Sequence, residues 1–173
     1  MTRALVFALV GILGFGGITP AHAITASCKV IKVSAATSKQ KAILLPCLDG
    51  KSNINFNAIR GPIVVNVWGS WCEPCKQEIP YFVALQKTGK VQIVGVDVEE
   101  RNRTSAQKFI SKKKMSWPNL YDENSVTRSL FGFGVPVTWF IDARGKVVYK
   151  HIGVMHSQKE LFNEVKKYLG IVA

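Results

Sequence analysis

The chain has 173 residues, 47% hydrophobic and 20% charged, with a formal net charge of +12. That balance excludes a disordered or fibrous chain, and the length fits one globular domain whose core does not depend on disulfides. The basic charge reads first as a solvated helix face, with an acidic surface as the alternative partner. However, the one dense lysine run, at 112–114, has no interleaved aromatics, so no nucleic-acid groove is expected.

Met1–Thr2–Arg3 carries one positive charge, residues 4–18 are uncharged and apolar, and AHA at 21–23 has the small–x–small form of a cleavage site. These are the three parts of an export signal. Residues 1–23 are therefore read as a signal peptide cleaved after Ala23. An uncleaved membrane anchor is the alternative, and a lipidated Cys28 is a third reading. Removal leaves 150 residues (173 less 23) and a charge of +11, because Arg3 is the one charged residue lost. The protein is thus expected outside the cytoplasm: in the periplasm, in the cell envelope or secreted.

Residues 24–53 form an N-terminal extension in which KVIKV (29–33) and AILLPCL (42–48) read as short strands or extended segments. DGKS (49–52) is a turn, and INFNAI (54–59) alternates as an edge strand does. From residue 54 a single domain runs to 173. PIVVNVW (62–68) is a buried strand, residues 73–87 a helix, and VQIVGVDV (91–98) a second buried strand. TSAQKFISKKKM (104–115) is an amphipathic helix opened by a Thr or Ser cap, and SVTRSLF (125–131) is a short helix. VTWFID (137–142) and KVVYKHIGV (146–154) make a hairpin. SQKELFNEVKKYLG (157–170) is a closing helix with Ser157 as cap, Glu160 three residues on, and Gly170 at its end. The order predicts an α/β fold: a mixed sheet with parallel first strands, an antiparallel hairpin and helices on both faces.

Cys72 and Cys75 in WGSWCEPCKQEIP (68–80) stand where a buried strand meets a helix. A C-x-x-C pair beside a βαβ pattern reads as a redox motif. Cys72 lies at the helix N-terminus, where unpaired N–H groups and the dipole stabilise a thiolate, so it is the expected nucleophile. Cys75, one turn further in, is the expected resolving thiol. Zinc would need about four ligands, and neither a second C-x-x-C nor a His pair at the right spacing exists. No cofactor and no metal are expected. Cys28 and Cys47, 19 positions apart and without catalytic spacing, are read as a structural disulfide.

VVNVWGSWCEPCKQEIP, VQIVGVDVEE and FGFGVPVTWFIDARGKVVYKHIGV resemble the exported thioredoxin-like proteins of the TlpA/ResA type, relatives of the disulfide reductases of cytochrome c maturation. The resemblance covers about residues 54–170. It implies a thioredoxin-like fold and thiol-disulfide oxidoreductase activity. It further implies a cis Pro136 facing the cysteines, with Val135 contacting substrate backbone. Glu78 would be the acid beside the disulfide, Trp68 and Trp71 the aromatics around it, and Pro80 a kink in the helix. Where cytosolic thioredoxins bury an aspartate, this chain has Asn66, which leaves Glu78 to handle the proton. Glu73 and Glu78 lie close to Cys72 in sequence, and two carboxylates oppose the helix terminus in stabilising a thiolate. The expectation is therefore a monomeric reductase of protein disulfides, with apocytochrome c as one substrate, kept reduced by a membrane thiol-disulfide electron donor. A disulfide-forming oxidase is the alternative. A peroxidase on the same fold would want Thr three residues before Cys72, where Gly69 stands. A binding module without catalysis would not need both cysteines.

Overall fold

The structure, a computed structural model, describes residues 25–34, 41–132 and 134–173. The segment read as an export signal lies outside them. Among the described residues no helix is long and apolar enough to cross a membrane.

A five-stranded sheet organises the molecule. β3 (Ile63–Trp68) is buried at every position, as its run of β-branched residues requires. It pairs in parallel with β4 (Gln92–Val98), which pairs in parallel with β5 (Asn119–Asp122). On its other side β3 meets β6 (Val137–Ile141) antiparallel, and β6 meets β7 (Val147–Ile152) antiparallel, giving the order β5-β4-β3-β6-β7. α1 (Glu73–Thr88) joins β3 to β4, and α2 (Arg103–Lys113) joins β4 to β5. Two successive crossovers in the same direction put both helices on one face. α4 (Gln158–Leu169) joins them there, and Ile79, Phe82, Phe109, Leu161 and Val165 share that core. The opposite face is covered by the short α3 (Arg128–Phe131) and by the N-terminal segment.

That segment keeps the strand expected within 42–48 and departs in part from the others. Residues 28–30 form a 3-10 turn, while β1 (Leu44–Pro46) and β2 (Asn53–Asn55) make a small hairpin. The predicted strand over 54–59 stops at Asn55, whose side chain accepts from the Asn57 N–H and turns the chain into a 3-10 turn over Phe56–Ala58. β1 and β2 pair across residues 53–54, so the extension is built into the domain. Cys47 bridges to Leu120 on the β5 edge, Leu48 N–H donates to the Asn119 carbonyl at 2.8 Å, and Gln107 of α2 donates to the Leu48 carbonyl at 2.7 Å. Covering this edge removes a row of unpaired backbone groups from solvent. Cys28 and Cys47 are both fully buried and joined in a disulfide with a sequence separation of 19. Closing a loop of that size contributes about 3 kcal/mol.

Two further differences have local causes. α2 begins at Arg103 under an Asn102 cap, not under Thr104 or Ser105, because Asn102 Oδ1 accepts both the N–H and the hydroxyl of Ser105. β5 was not expected from the sequence; its four residues include Asn119 and Asp122, which read as loop composition.

Candidate active site

Cys72 is the N-cap of α1, and its Sγ accepts the Cys75 N–H at 3.1 Å. Pro74 sits in the first helical turn, where a missing N–H leaves no bond unmade. The two cysteines are joined in a disulfide, with Cα atoms 5.3 Å apart. Cys75 is wholly enclosed and Cys72 is 3% exposed, so the expected nucleophile shows only an edge in the bridged form. Trp71, half exposed, stands over the approach, and its indole N–H donates to the Val98 carbonyl at 3.3 Å. The indole lies so close to Gly69 that a Cβ there would come within 2.5 Å of it. Gly69 therefore has no room for the threonine a peroxidase would place there.

The Val135–Pro136 bond is cis, as is Gly61–Pro62, which the sequence did not suggest. Val135 packs against the cluster that contains Cys72 and Cys75. With Trp71, Val67, Val98 and Phe131 it also lines a cleft whose rim carries the Glu99–Arg128 ion pair at 3.6 Å. Asp122 shapes the floor of this cleft by accepting the N–H groups of Val126 and Thr127. Trp68 is fixed behind the site by an indole N–H donated to Asn119 Oδ1 at 3.0 Å. A side chain at Gly95 would occupy that oxygen's place, so the strand needs glycine there.

The two acids near the cysteines differ sharply. Glu73 is exposed and paired with Lys76 at 2.9 Å; that hydrogen bond and the nearby charge hold its carboxyl below the usual range. This corrects the expectation that both acids act on Cys72, because the ammonium offsets the Glu73 charge. Glu78 is fully buried, one helical turn beyond Cys75 on the same side of α1. Asn66 Nδ2 donates to one of its oxygens at 2.8 Å, and Met155 N–H donates to the other at 3.0 Å. Burial pushes its pKa up to about 7, against the lowering pull of Met155, Asn66 and the His151 charge. A pKa near neutrality is the range that suits a carboxyl to general acid–base chemistry.

Two features of the site escaped the sequence reading. Asn66 does more than replace an acid: it holds one. Asp97, in register with Trp68 on the neighbouring strand, is a second buried acid, and neither of its oxygens has a hydrogen-bond partner. A lone acid inside VGVDV, an otherwise apolar run, was the available signal.

Two cysteines bridged across the first turn of a helix, after a buried strand of a mixed sheet, are the arrangement of a thiol-disulfide oxidoreductase. Over residues 36–150 the sequence matches the AhpC/TSA family, and the chain belongs to it. ResA of Bacillus thuringiensis (strain Al Hakam), a thiol-disulfide oxidoreductase, is 30% identical over 125 residues, covering 69% of this chain and 70% of that one. The thiol:disulfide interchange protein DsbE of Yersinia pestis is 31% identical over 113 residues, 63% of this chain and 60% of the relative. Among solved structures, a secreted Mycobacterium tuberculosis disulfide oxidoreductase homologous to DsbE of E. coli superposes with a TM-score of 0.61 at 24% identity. The match covers 73% of this chain and 96% of that one. The fold is thioredoxin-like, and the enzyme is a thiol-disulfide oxidoreductase of the ResA/DsbE type.

Proposed function

We propose that the protein is an extracytoplasmic reductase of protein disulfides, monomeric and recharged by a membrane thiol-disulfide electron donor. The observation that carries the direction is Glu78: a buried carboxyl poised near neutrality, one turn from Cys75, disfavours negative charge in the site whenever it is ionised. Such an environment weakens stabilisation of the reduced, thiolate form, and a couple whose reduced form is less stabilised is the better electron donor. The apolar run at 4–18 and the buried Cys28–Cys47 bridge support an oxidising location.

In the proposed cycle the Cys72 thiolate attacks one sulfur of a substrate disulfide. An S–S bond forms to the substrate and the other substrate sulfur leaves as a thiolate. Val135, Pro136 and Trp71 hold the substrate backbone across the cleft. Cys75 then gives its proton to the Glu78 carboxylate and attacks Cys72 Sγ. The second substrate sulfur departs, and two electrons have passed from the enzyme to the substrate. Among protein disulfides, the C-x-x-C-H haem site of apocytochrome c is the substrate the family resemblance favours.

Reduced enzyme mixed with an oxidised C-x-x-C-H peptide should yield peptide dithiol and a Cys72–Cys75 disulfide faster than oxidised enzyme closes the reduced peptide. The reverse order of rates, followed by rapid-quench mass spectrometry, would make the protein an oxidase.

A further inference from the structure

Glu78 is enclosed, yet each reductive turn delivers a proton to it and the next turn needs it unloaded. Once the Cys72–Cys75 bridge has formed, Cys75 cannot take that proton back. The sheet register offers another way out. Asn66 on β3 lies opposite Thr138 on β6, and Thr138 lies opposite His151 on β7. Laterally paired residues point to the same face, with neighbouring strands about 4.8 Å apart. The three side chains therefore form one polar row on the face that α1 and α4 cover.

Each end of the row is anchored. At the inner end Asn66 Nδ2 donates to Glu78 Oε1 at 2.8 Å. At the outer end His151 Nδ1 sits 3.0 Å from Glu164 Oε1 of α4, and both side chains are 15% exposed. Between the ends, Asn66 Oδ1 and Thr138 Oγ1 are buried with no protein hydrogen-bond partner. A hydroxyl both donates and accepts, and it rotates to suit its neighbours. Thr138, between Asn66 and His151, can therefore pass a proton from one side to the other, as can the two ring nitrogens of His151 at the outer end. The charged groups around His151 are Glu164 and Glu160 from α4, Lys167 further along that helix, and Glu78 from α1.

We infer that Thr138 and the His151–Glu164 pair form the proton port of Glu78, carrying its proton across the sheet to solvent between half-reactions. Because Thr138 Oγ1 has no protein hydrogen-bond partner, the proton on the Glu78 carboxyl reaches it through a bound water as the Thr138 proton moves on, again through water, to the imidazole, and the His151–Glu164 pair hands it to bulk water. No electrons move in this step. All three are positioning and relay groups for an acid they do not replace.

The inference rests on the reading of Glu78 as proton carrier, and the test separates the two. Resolution of a preformed mixed disulfide between Cys72 and an aromatic thiol is followed by thiol release, and recovery of the Glu78 carboxylate by infrared spectroscopy after each turn. Glu78→Gln should slow resolution at least tenfold; unchanged resolution overturns the carrier reading and the port with it. Thr138→Val and His151→Ala should leave the first resolution within twofold but slow carboxylate recovery about tenfold. Added imidazole should restore recovery in His151→Ala. Thr138→Ser, which keeps the hydroxyl, should behave as wild type and serves if the valine variant does not fold. Wild-type recovery in both Thr138→Val and His151→Ala, with Glu78→Gln slowed, overturns the port alone.

Discussion

Replacing Cys75 by Ser should leave a protein that captures substrates and does not release them. Mixed disulfides through Cys72 should accumulate, and turnover should fall by roughly three orders of magnitude or more. Cys72→Ser should lose turnover to the same extent and capture almost nothing. The asymmetry follows from the helix end. Cys72 caps α1, receives the Cys75 N–H at 3.1 Å and keeps an edge in solvent, whereas Cys75 lies inside the first turn and is fully enclosed. A sulfur that accepts a backbone N–H at a helix N-terminus is the better thiolate, and only a sulfur with an open side can meet a substrate disulfide. Non-reducing electrophoresis of each variant after mixing with an oxidised protein substrate decides the matter. Equal capture by both would remove the assignment of attacking and resolving roles.

Asp97→Asn should stabilise the protein at pH 7 by up to about 4 kcal/mol, and more as the pH rises toward 9. Burial, then the charges of Glu100 and Asp122, push the Asp97 carboxyl from its ordinary 3.8 up to about 9. Between those values the folded chain keeps a proton that the unfolded chain has released. Stability therefore falls as pH rises through the window, by about 1.4 kcal/mol per unit for one such group. Asparagine has no proton to lose, so the slope from this position disappears; its own unpaired N–H groups offset part of the gain. Glu78 adds a similar slope from 4.5 to about 7, but it does so in both proteins and cancels in their difference. Urea denaturation at pH 5, 7 and 9 should show a gap between variant and wild type that widens with pH. A gap that stays constant would mean Asp97 is charged in the folded state.

How far the sequence reached depended on whether a property was local. β3, β4, the β6–β7 hairpin and α4 were legible because each carries its own period and caps: the all-apolar run of β3, the Ser157 cap and Gly170 stop of α4. The active-site helix was legible from the cysteines and Pro74 at its first turn. β5 was hidden because four residues, two of them polar, give no period; pairing with β4 makes them a strand. In the N-terminal segment the turn at 49–52 and the strand within 42–48 were legible, whereas the 3-10 turns at 28–30 and 56–58 and the contacts of Leu48 with β5 and α2 were not. At the site, the Glu73–Lys76 pair was readable in principle as an i,i+3 contact. The Asn66 and Met155 donors to Glu78 were not, because they come from β3 and from a loop 77 residues away. The row from Asn66 through Thr138 to His151 exists only through strand register, which no single segment encodes.

The direction of electron flow is the central point, and the reduction potential of the Cys72–Cys75 couple tests it most directly. Equilibration with glutathione or dithiothreitol buffers at pH 7, read by thiol alkylation and mass spectrometry, gives the value with the buried Cys28–Cys47 bridge counted separately. A reductase with Glu78 beside its cysteines should lie well below the strong oxidant's roughly −120 mV, toward the thioredoxin value of about −270 mV. Glu78→Gln should shift it upward. A wild-type potential near −120 mV would contradict the reductase reading and make the protein a donor of disulfides.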